Sequence, residues 1–298
     1  MSESSSVDSS PAARGWRRFV RSYAAWVGIG LVGTFVLIAV LADAIAPYAP
    51  ADRFPQNAAG RPADGPQSPS RRNWLGTDSF DKDVLTRVMH GARLSLLAGV
   101  VSIALAIVIG APLGAIAGYF GGRTDMLLMR SIDVALAFPS VLIALLVTAA
   151  FSPGWATVVI AVGLINVPIF ARQVRATVLT VVHLEYVLAS RAMGATTWHI
   201  LTRVILPSLV SPVIVLASLS VGTAILEVAG LSFLGLGGDP TAAEWGNMLG
   251  QARAYWNQNL WFAFAPGGAI SLTVLGFNLL GDGLRDALDP RADLQQAM

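Results

Sequence analysis

Six long apolar stretches alternate with polar connections along this 298-residue chain. Each stretch is long enough to cross a hydrocarbon layer of about 30 Å. Because a backbone in lipid has to satisfy its own hydrogen bonds, each stretch is predicted to be a helix. The predicted spans are Tyr23–Ala46, Leu94–Tyr119, Ile132–Phe151, Trp155–Ala171, Val210–Leu231 and Leu260–Leu284.

The first apolar stretch has two interpretations, because it follows several arginines and ends in Ala44-Ile45-Ala46, which resembles a cleavage site. The apolar part of a cleaved signal is about 7–15 residues long, and this stretch is longer. We therefore interpret residues 23–46 as an uncleaved first span. Residues 1–22 then form a cytoplasmic tail.

Basic residues predict the orientation of the spans, because short cytoplasmic loops carry an excess of them. With the N-terminus inside, 12 basic residues lie on the cytoplasmic side and 8 lie outside, and 7 of those 8 belong to the long loop 47–93. Long loops are translocated with little regard to charge. The sequence therefore predicts a cytoplasmic N-terminus and a cytoplasmic C-terminal tail at 285–298.

Two polar segments are predicted on the outer side. Near the end of loop 47–93, Val84 and Val88 belong to a helix-like apolar spacing. This spacing predicts an amphipathic surface helix or, alternatively, an N-terminal extension of the second span. The other segment, about 232–259, contains aromatic residues that we interpret as membrane-interface anchors. They are Trp245, Tyr255 and Trp256.

The segment Glu185–Pro207, between the fourth and fifth spans, is too polar to cross a membrane. Gly194 suits the left-handed turn that ends a helix, and Thr196 or Thr197 can cap a following helix. Pro207 is expected to mark the boundary with the next span, since the residue before proline disfavours helical geometry. The pattern predicts two short surface helices, which serve either as a plain amphipathic linker or as a dock for a soluble partner.

Composition narrows the classes of function. The chain is 54% hydrophobic and 13% charged, whereas soluble domains carry roughly 25% charged residues. It has no cysteine, which excludes disulfides, zinc-thiolate sites and thiol nucleophiles, and its formal charge of +2 gives no sign of nucleic-acid binding. The only lysine, Lys82, lacks the glycine-rich frame of a phosphate-binding loop.

Catalytic motifs are also lacking. The sequence has no His-Glu-x-x-His motif, and Gly230-Leu-Ser-Phe-Leu234 lacks the second glycine of a serine-hydrolase elbow. We therefore predict that the chain is not an enzyme, with no catalytic residue and no metal site.

Ionisable residues inside spans are functional hypotheses by default. Glu227 in the fifth span is expected to line a translocation pathway or gate, or to pair with Arg253 or a helix terminus. Asn278 in the sixth span is a second candidate for the pathway. Asp43 is interpreted as interfacial. The charged C-terminal end of the last span is interpreted as solvated and comprises Asp282, Arg285, Asp286 and Asp289.

The segment Glu185–Pro207 resembles the "EAA" loop of binding-protein-dependent ABC importers. That pattern is Glu-Ala-Ala, three residues, Gly, nine residues, Ile, one residue and Leu-Pro, and the chain keeps its spacing. It departs at Leu188, which stands for the glutamate, and at Ser190, which stands for the second alanine. The resemblance assigns coupling to an ATPase to Leu188, Ala189, Ser190, Arg191, Gly194, Val204, Leu206 and Pro207.

The resemblance extends over about residues 70–291. In that region the chain is similar to the C-type permease subunit of dipeptide, oligopeptide and nickel ABC transporters. The stretches that carry the similarity are Asn73–Asp78, Asp83–Arg87, Gly91–Leu96, Gly118–Asp125 with Arg130, Asp133 and Phe138-Pro139, Gly230–Gly237 with Trp245-Gly246, and Asn278–Pro290.

This resemblance implies an all-α membrane protein with six transmembrane helices. It implies the type I ABC importer permease fold, with a core domain of five spans at 94–284, a coupling loop at 172–208 and an extra N-terminal helix. The implied location is the bacterial cytoplasmic (inner) membrane.

The implied partners are a homologous permease in a heterodimer, two cytoplasmic ATPases, an extracytoplasmic solute-binding protein and the lipid bilayer, without nucleic acid. The chain itself is expected to hold no cofactor, with ATP and Mg on the ATPases.

The resemblance favours peptides as the substrate, ahead of nickel or another small solute. A secondary transporter or a channel is the alternative function. Many secondary transporters contain inverted repeats, and the sequence has no convincing internal repeat.

Overall fold

The computed structural model describes residues 19–20, 22–55 and 65–288. In that part of the chain there is no β-strand apart from one isolated bridge between Thr77 and Asp83, so the all-α prediction is confirmed. In chain order the helices are α1 (Tyr23–Ile45), α2 (Val84–Phe120), α3 (Gly122–Ala137), α4 (Ser140–Phe151), α5 (Trp155–Val181), α6 (Glu185–Ala192), α7 (Thr197–Phe233), α8 (Trp245–Ala252) and α9 (Trp261–Leu288).

The two predicted tails, 1–22 and 285–298, fall mostly outside the described residues. So does part of the irregular loop after the first span.

Within the described residues, α1, α2, α5, α7 and α9 are each long and apolar enough to cross a membrane. The predicted third span, Ile132–Phe151, is not a single straight helix, because α3 and α4 meet at an angle of 93°; the described residues therefore contain five such helices, or six spans if this bent pair crosses as one. The break falls at Phe138-Pro139, where Phe138 is extended. Proline lacks the N–H that continues a helix and pushes the residue before it towards extended geometry.

Helix α4 has 12 residues, or about 18 Å of length, which is short of a full crossing.

Helices α2 and α5 extend beyond their predicted spans. Helix α2 begins at Val84 rather than Leu94, so the amphipathic stretch is the N-terminal extension and not a separate surface helix. The Asp83 side chain caps it by accepting a hydrogen bond of 2.8 Å from the Thr86 N–H. Helix α5 continues past Ala171 to Val181, so the loop predicted at 172–208 is partly helical.

Helix α7 runs through Pro207 without a boundary, contrary to the prediction. It contains a π-helical stretch at Ile200–Ile205, and α-helical geometry resumes at Leu206, the residue before the proline. A proline ring clashes with the carbonyl of the preceding helical turn, and a wider π turn moves that carbonyl away. Consequently the second predicted surface helix is the beginning of the fifth span.

Glycines allow α2 and α5 to approach closely. Gly110, Gly114 and Gly118 are spaced by four residues and therefore lie on one face of α2. A Cβ atom on Gly110 would lie 2.6 Å from the carbonyl oxygen of Val167, and one on Gly114 would lie 2.2 Å from that of Ala171. Small residues at this spacing are typical of helix pairs in membranes, and they make this pair the centre of the bundle.

Helix α1 packs against α9 in the same way. A Cβ atom on Gly28 would lie 2.5 Å from the backbone nitrogen of Leu280, and one on Gly283 would lie 2.5 Å from the Cβ of Ala25. The N-terminal helix is therefore packed on the bundle through backbone-to-backbone contact.

Residues 65–83 and 234–260 fold together at one end of the bundle, and we call them the polar cap. Asn259 joins its two parts by donating to the carbonyls of Leu75 at 3.0 Å and Thr77 at 3.2 Å. Trp245 is fully buried and donates through Nε1 to the Val88 carbonyl at 3.0 Å. Its interpretation as a membrane-interface anchor is therefore wrong, because the cap encloses it.

Candidate functional site

The first candidate site is the segment 182–208, which follows α5, contains α6 and the first turns of α7, and which we call the coupling segment. Its helix α6 buries Val187 and Ser190 on one side, while Leu188, Ala189 and Arg191 are exposed on the other. The side that faces the bundle is thus distinct from the side that faces away from it.

The turn after α6 has a defined geometry. Gly194 has φ +81°, in the left-handed region, as predicted. Its N–H donates to the Arg191 carbonyl at 3.0 Å, and the Ala195 N–H donates to the Ser190 carbonyl at 3.2 Å. These two bonds form a Schellman motif, which satisfies the last carbonyls of a helix.

The second half of the coupling segment is the beginning of α7. The Thr196 hydroxyl accepts a hydrogen bond of 3.3 Å from the His199 N–H, which confirms one of the two predicted caps. Val204 is half-buried, whereas Leu206 and Pro207 are exposed. The latter two therefore lie on the outward side of the segment.

An apolar cluster fixes the coupling segment to the bundle. It joins α5 to both halves of the segment and comprises Val174, Val178, Val181, Val187, Ile200, Ile205 and Leu209. Arg191 also stacks over the Tyr119 ring of α2 at 5.3 Å, and the hydroxyls of Tyr186 and Ser208 lie 3.2 Å apart. The segment is therefore held in one position relative to the spans.

The second candidate site is Glu227 on α7. Its Oε2 accepts a hydrogen bond of 2.9 Å from the Asn166 side chain of α5. Glu227 does not pair with Arg253, which stacks over Phe233 at 5.8 Å instead. Asn166 was missed by the sequence reasoning, although a polar residue within an otherwise apolar span was a visible signal.

Asn278 lies half-buried on α9. Among the described residues, its side chain has no hydrogen bond. No hydrogen bond therefore joins the two candidate pathway residues.

Asp43 is exposed at the end of α1, as predicted for an interfacial residue. It accepts a hydrogen bond of 2.9 Å from Arg93, and its other oxygen lies 3.2 Å from His90 Nε2. It therefore ties α1 to α2. In the part of the chain that the structure describes, no group of three or more His, Asp or Glu side chains is placed to hold a metal ion.

Two of the sequence stretches without an assigned role, Asn73–Asp78 and Asp83–Arg87, meet where α2 joins the polar cap. Arg87, fully buried, forms an ion pair with the buried Asp78. It also donates to the carbonyls of Thr241 at 3.1 Å and Ala242 at 2.9 Å. Arg87 thus fastens α2 to both parts of the cap.

Comparison with known proteins identifies the fold and the family. Residues 110–294 match the family described as the inner membrane component of binding-protein-dependent transport systems. Residues 10–66 match the N-terminal transmembrane domain of oligopeptide transport permease C. A chain of the MetNI methionine ABC transporter in an inward-facing conformation superposes with a TM-score of 0.57 at 19% identity, over 68% of this chain and 96% of that chain. That likeness confirms the fold prediction.

Curated relatives match almost the whole chain. The dipeptide transport system permease protein DppC of Alkalihalophilus pseudofirmus is 42% identical over 282 residues, covering 95% of this chain and 90% of that protein. The glutathione transport system permease protein GsiD of Pectobacterium atrosepticum is 44% identical over 277 residues, covering 93% and 90%. The di/tripeptide transport system permease protein DppC of Pseudomonas aeruginosa is 41% identical over 292 residues, covering 97% and 95%.

These matches exclude the alternative function, that of a secondary transporter or channel. An importer permease of this family has an ATPase and a solute-binding protein as its general partners and is not itself the catalytic component. The chain belongs to the family of binding-protein-dependent transport system inner membrane components, as a multi-pass permease subunit of an ABC importer.

Proposed function

We propose that this chain forms half of a translocation pathway for dipeptides or oligopeptides, in a heterodimer with a homologous permease. The proposal of a peptide substrate is supported by the names of the relatives, which transport dipeptides, di- and tripeptides, and glutathione. Glutathione is itself a small peptide, so these names share one chemical class.

The coupling segment is the proposed binding site for a separate cytoplasmic ATPase. The observation that carries this proposal is an exposed apolar surface on the coupling segment. The opposite side of the segment is packed against the bundle. Leu188 is 47% exposed, Met193 82% and Trp198 75%. Large apolar side chains with this exposure are typical of a protein–protein contact. Since Leu188 replaces the glutamate of the family pattern, the contact relies on packing.

Helix α7 supplies the mechanical connection. Its 37 residues extend for about 56 Å and carry both the exposed Trp198 near one end and Glu227 near the other. The ATPases, which hold ATP and Mg, close when ATP binds and open after hydrolysis. A movement of the coupling segment therefore tilts α7, the span that carries Glu227. Coupling between two sites needs an element with two states, and α7 is that element in this proposal.

The pathway is proposed to lie along the face of α7 that carries Glu227, with Asn278 of α9 as a second polar contact. Both termini are proposed to be cytoplasmic, with the polar cap on the outer side. In that orientation the coupling segment faces the cytoplasm, where the ATPases are, and the cap faces the solute-binding protein.

Substitution of Gly194 tests the coupling role. A Cβ atom at this position meets nothing within 4 Å, so any substituent points into the open space that the ATPase is proposed to occupy. We expect Gly194→Leu to lower ATP-driven uptake at least about tenfold. A positive φ is unfavourable for leucine by about 1–2 kcal/mol, and the leucine side chain would also block the proposed ATPase binding site. The measurement is peptide uptake by proteoliposomes together with co-purification of the ATPases in detergent.

Gly194→Asn is the matched control, since asparagine tolerates the left-handed conformation and is smaller than leucine. We expect it to retain most of the uptake. Normal ATP-dependent uptake by Gly194→Leu, with the ATPases still bound, would rule out the coupling assignment.

A further inference from the structure

We propose that Glu227 binds the protonated amino terminus of the peptide during its passage through the membrane. This inference rests on the proposed peptide-import function and names the chemical group that the pathway recognises. It is carried by the position of the carboxylate, by its single neutral hydrogen-bond partner and by the distribution of basic residues in the chain.

Glu227 borders a face of α7 that the rest of the chain leaves open. Thr223, Leu226 and Gly230 are exposed on the adjoining turns, and a Cβ atom on Gly230 would meet nothing within 4 Å. Glu227 lies six residues before the end of α7 at Phe233, or about 9 Å along the axis. The carboxylate is therefore inside the span, beside an uncovered surface.

Glu227 is half-buried beside this exposed face, and a lipid-facing position is incompatible with its charge, because a charged side chain in hydrocarbon is strongly unfavourable. Intramembrane ionisable residues face the interior of a bundle or a water-filled cavity. The open face of α7 is consequently the side on which the permease pair encloses its pathway.

The hydrogen bonds orient Glu227 and leave part of it free. Asn166, itself buried, donates to Glu227 Oε2 at 2.9 Å and to the Val162 carbonyl at 2.9 Å. Among the described residues, Oε1 of Glu227 has no donor. Asn166 thus fixes one oxygen and leaves the other available to a ligand.

Among the residues that the structure describes, no arginine, lysine or histidine forms an ion pair with this carboxylate. Helix α7 has no arginine or lysine from Leu206 to Phe233, and α5 has none before Arg172. Arg253, the partner that the sequence suggested for Glu227, stacks on Phe233 instead. A neutral amide donor does not balance a carboxylate, so we infer that the complementary cation is carried by the molecule that passes.

The amino terminus of a peptide is such a cation. Its pKa is about 7.7–8.0, so near neutral pH an unmodified peptide carries an ammonium group whatever its side chains. A single carboxylate oxygen, without a second charged group, binds an amino terminus only weakly. Weak binding suits a pathway that has to release its cargo.

The competing explanation is that Glu227 and Asn166 only hold α5 and α7 together, as polar pairs do in membrane bundles. Glu227→Gln distinguishes this explanation from peptide binding. The glutamine oxygen still accepts the hydrogen bond from Asn166, whereas the negative charge is lost. Asp43→Asn is the matched control, since it removes the charge of another acid near the end of a span.

The first measurement is ATP-dependent uptake of a dipeptide with a free amino terminus by the complete transporter in proteoliposomes. We expect Glu227→Gln to lower uptake at limiting dipeptide by about tenfold or more, the loss typical of a charge-assisted hydrogen bond. The amount of assembled complex and Asp43→Asn uptake should remain unchanged. Uptake by Glu227→Gln at the wild-type rate would overturn the inference.

The second measurement is zero-length cross-linking with a water-soluble carbodiimide, which joins a carboxylate to an amine in contact with it. We expect an amide bond between the dipeptide amino group and Glu227, identified by mass spectrometry. The N-acetylated dipeptide and the Glu227→Gln protein should give none at that position. A transporting wild-type complex without this bond would refute the Glu227 site alone, whereas a wild-type complex that takes up no peptide would refute the proposed function.

Discussion

Glu244 is a single residue whose charge matters to the polar cap. It is almost fully buried, and its carboxylate caps α8 by accepting hydrogen bonds of 2.9 Å from the N–H groups of Gly246 and Asn247. Ser95 of α2 also lies within 3.4 Å of it. Burial raises the pKa of Glu244 above its usual value, and the two backbone N–H groups lower it only in part.

A raised pKa gives a definite sign of pH dependence. The folded protein holds the Glu244 proton more tightly than the unfolded chain, so the cap loses stability as the pH rises from the unfolded pKa, about 4.3, through the raised folded pKa. We expect thermal unfolding in detergent to occur at higher temperature at pH 5 than at pH 8, with a smaller difference in Glu244→Gln. Identical pH slopes for the two proteins would contradict this prediction.

Glu244→Ala supplies the control for the capping role. It removes the N-cap of α8, and we expect a loss of about 1–2 kcal/mol in the free energy of unfolding at pH 5. Glu244→Gln keeps one acceptor at the cap and should lose less. Comparing Glu244→Ala with Glu244→Gln separates the contribution of the capping hydrogen bonds to stability from the contribution of the charge.

Among the elements, α2 depends on a buried ion pair that fastens it to the polar cap. Arg87 and Asp78 are both buried, and Asp78 also accepts hydrogen bonds from the N–H groups of Phe80 at 2.7 Å and Lys82 at 2.8 Å. Removing one member leaves the other buried without its partner, which is more unfavourable than removing both.

We therefore expect Arg87→Met to lower the free energy of unfolding by about 3–5 kcal/mol. The double variant Arg87→Met with Asp78→Asn should lose less than the sum of the two single losses. A double-mutant cycle on thermal unfolding of the purified complex measures this coupling. Strictly additive losses would exclude a direct interaction between the two side chains.

For the whole molecule, the proposed orientation places the polar cap outside and the coupling segment inside. The chain has no cysteine, so single introduced cysteines report the side of the membrane without a background. Trp74 in the cap and Met193 in the coupling segment are suitable, because they are 70% and 82% exposed.

We expect Trp74→Cys to react with a membrane-impermeant maleimide in cells whose inner membrane is intact. Met193→Cys should react only after that membrane is opened. The unmodified chain is the control and should remain unlabelled. The opposite pattern would reverse the proposed orientation and place the coupling segment away from the ATPases.

The sequence by itself determined what depends on local pattern. Apolar length predicts the spans because an isolated segment in lipid can satisfy all its own backbone hydrogen bonds only as a helix. The φ requirement at Gly194 predicts its turn because that conformation is a property of one residue. The motif spacing around Leu188 and Pro207 predicts the position of the coupling segment without contacts from elsewhere in the chain.

The tertiary structure alone decided what depends on contacts between distant residues. Asn166 and Glu227 are 61 positions apart, and Trp245 meets Val88 across 157 positions, so neither contact could be read from a local pattern. The unbroken course of α7 through Pro207 and the 93° break at Pro139 show the same limit. Two prolines with similar local preferences have opposite outcomes, because packing and the adjoining π turn determine whether a helix can continue.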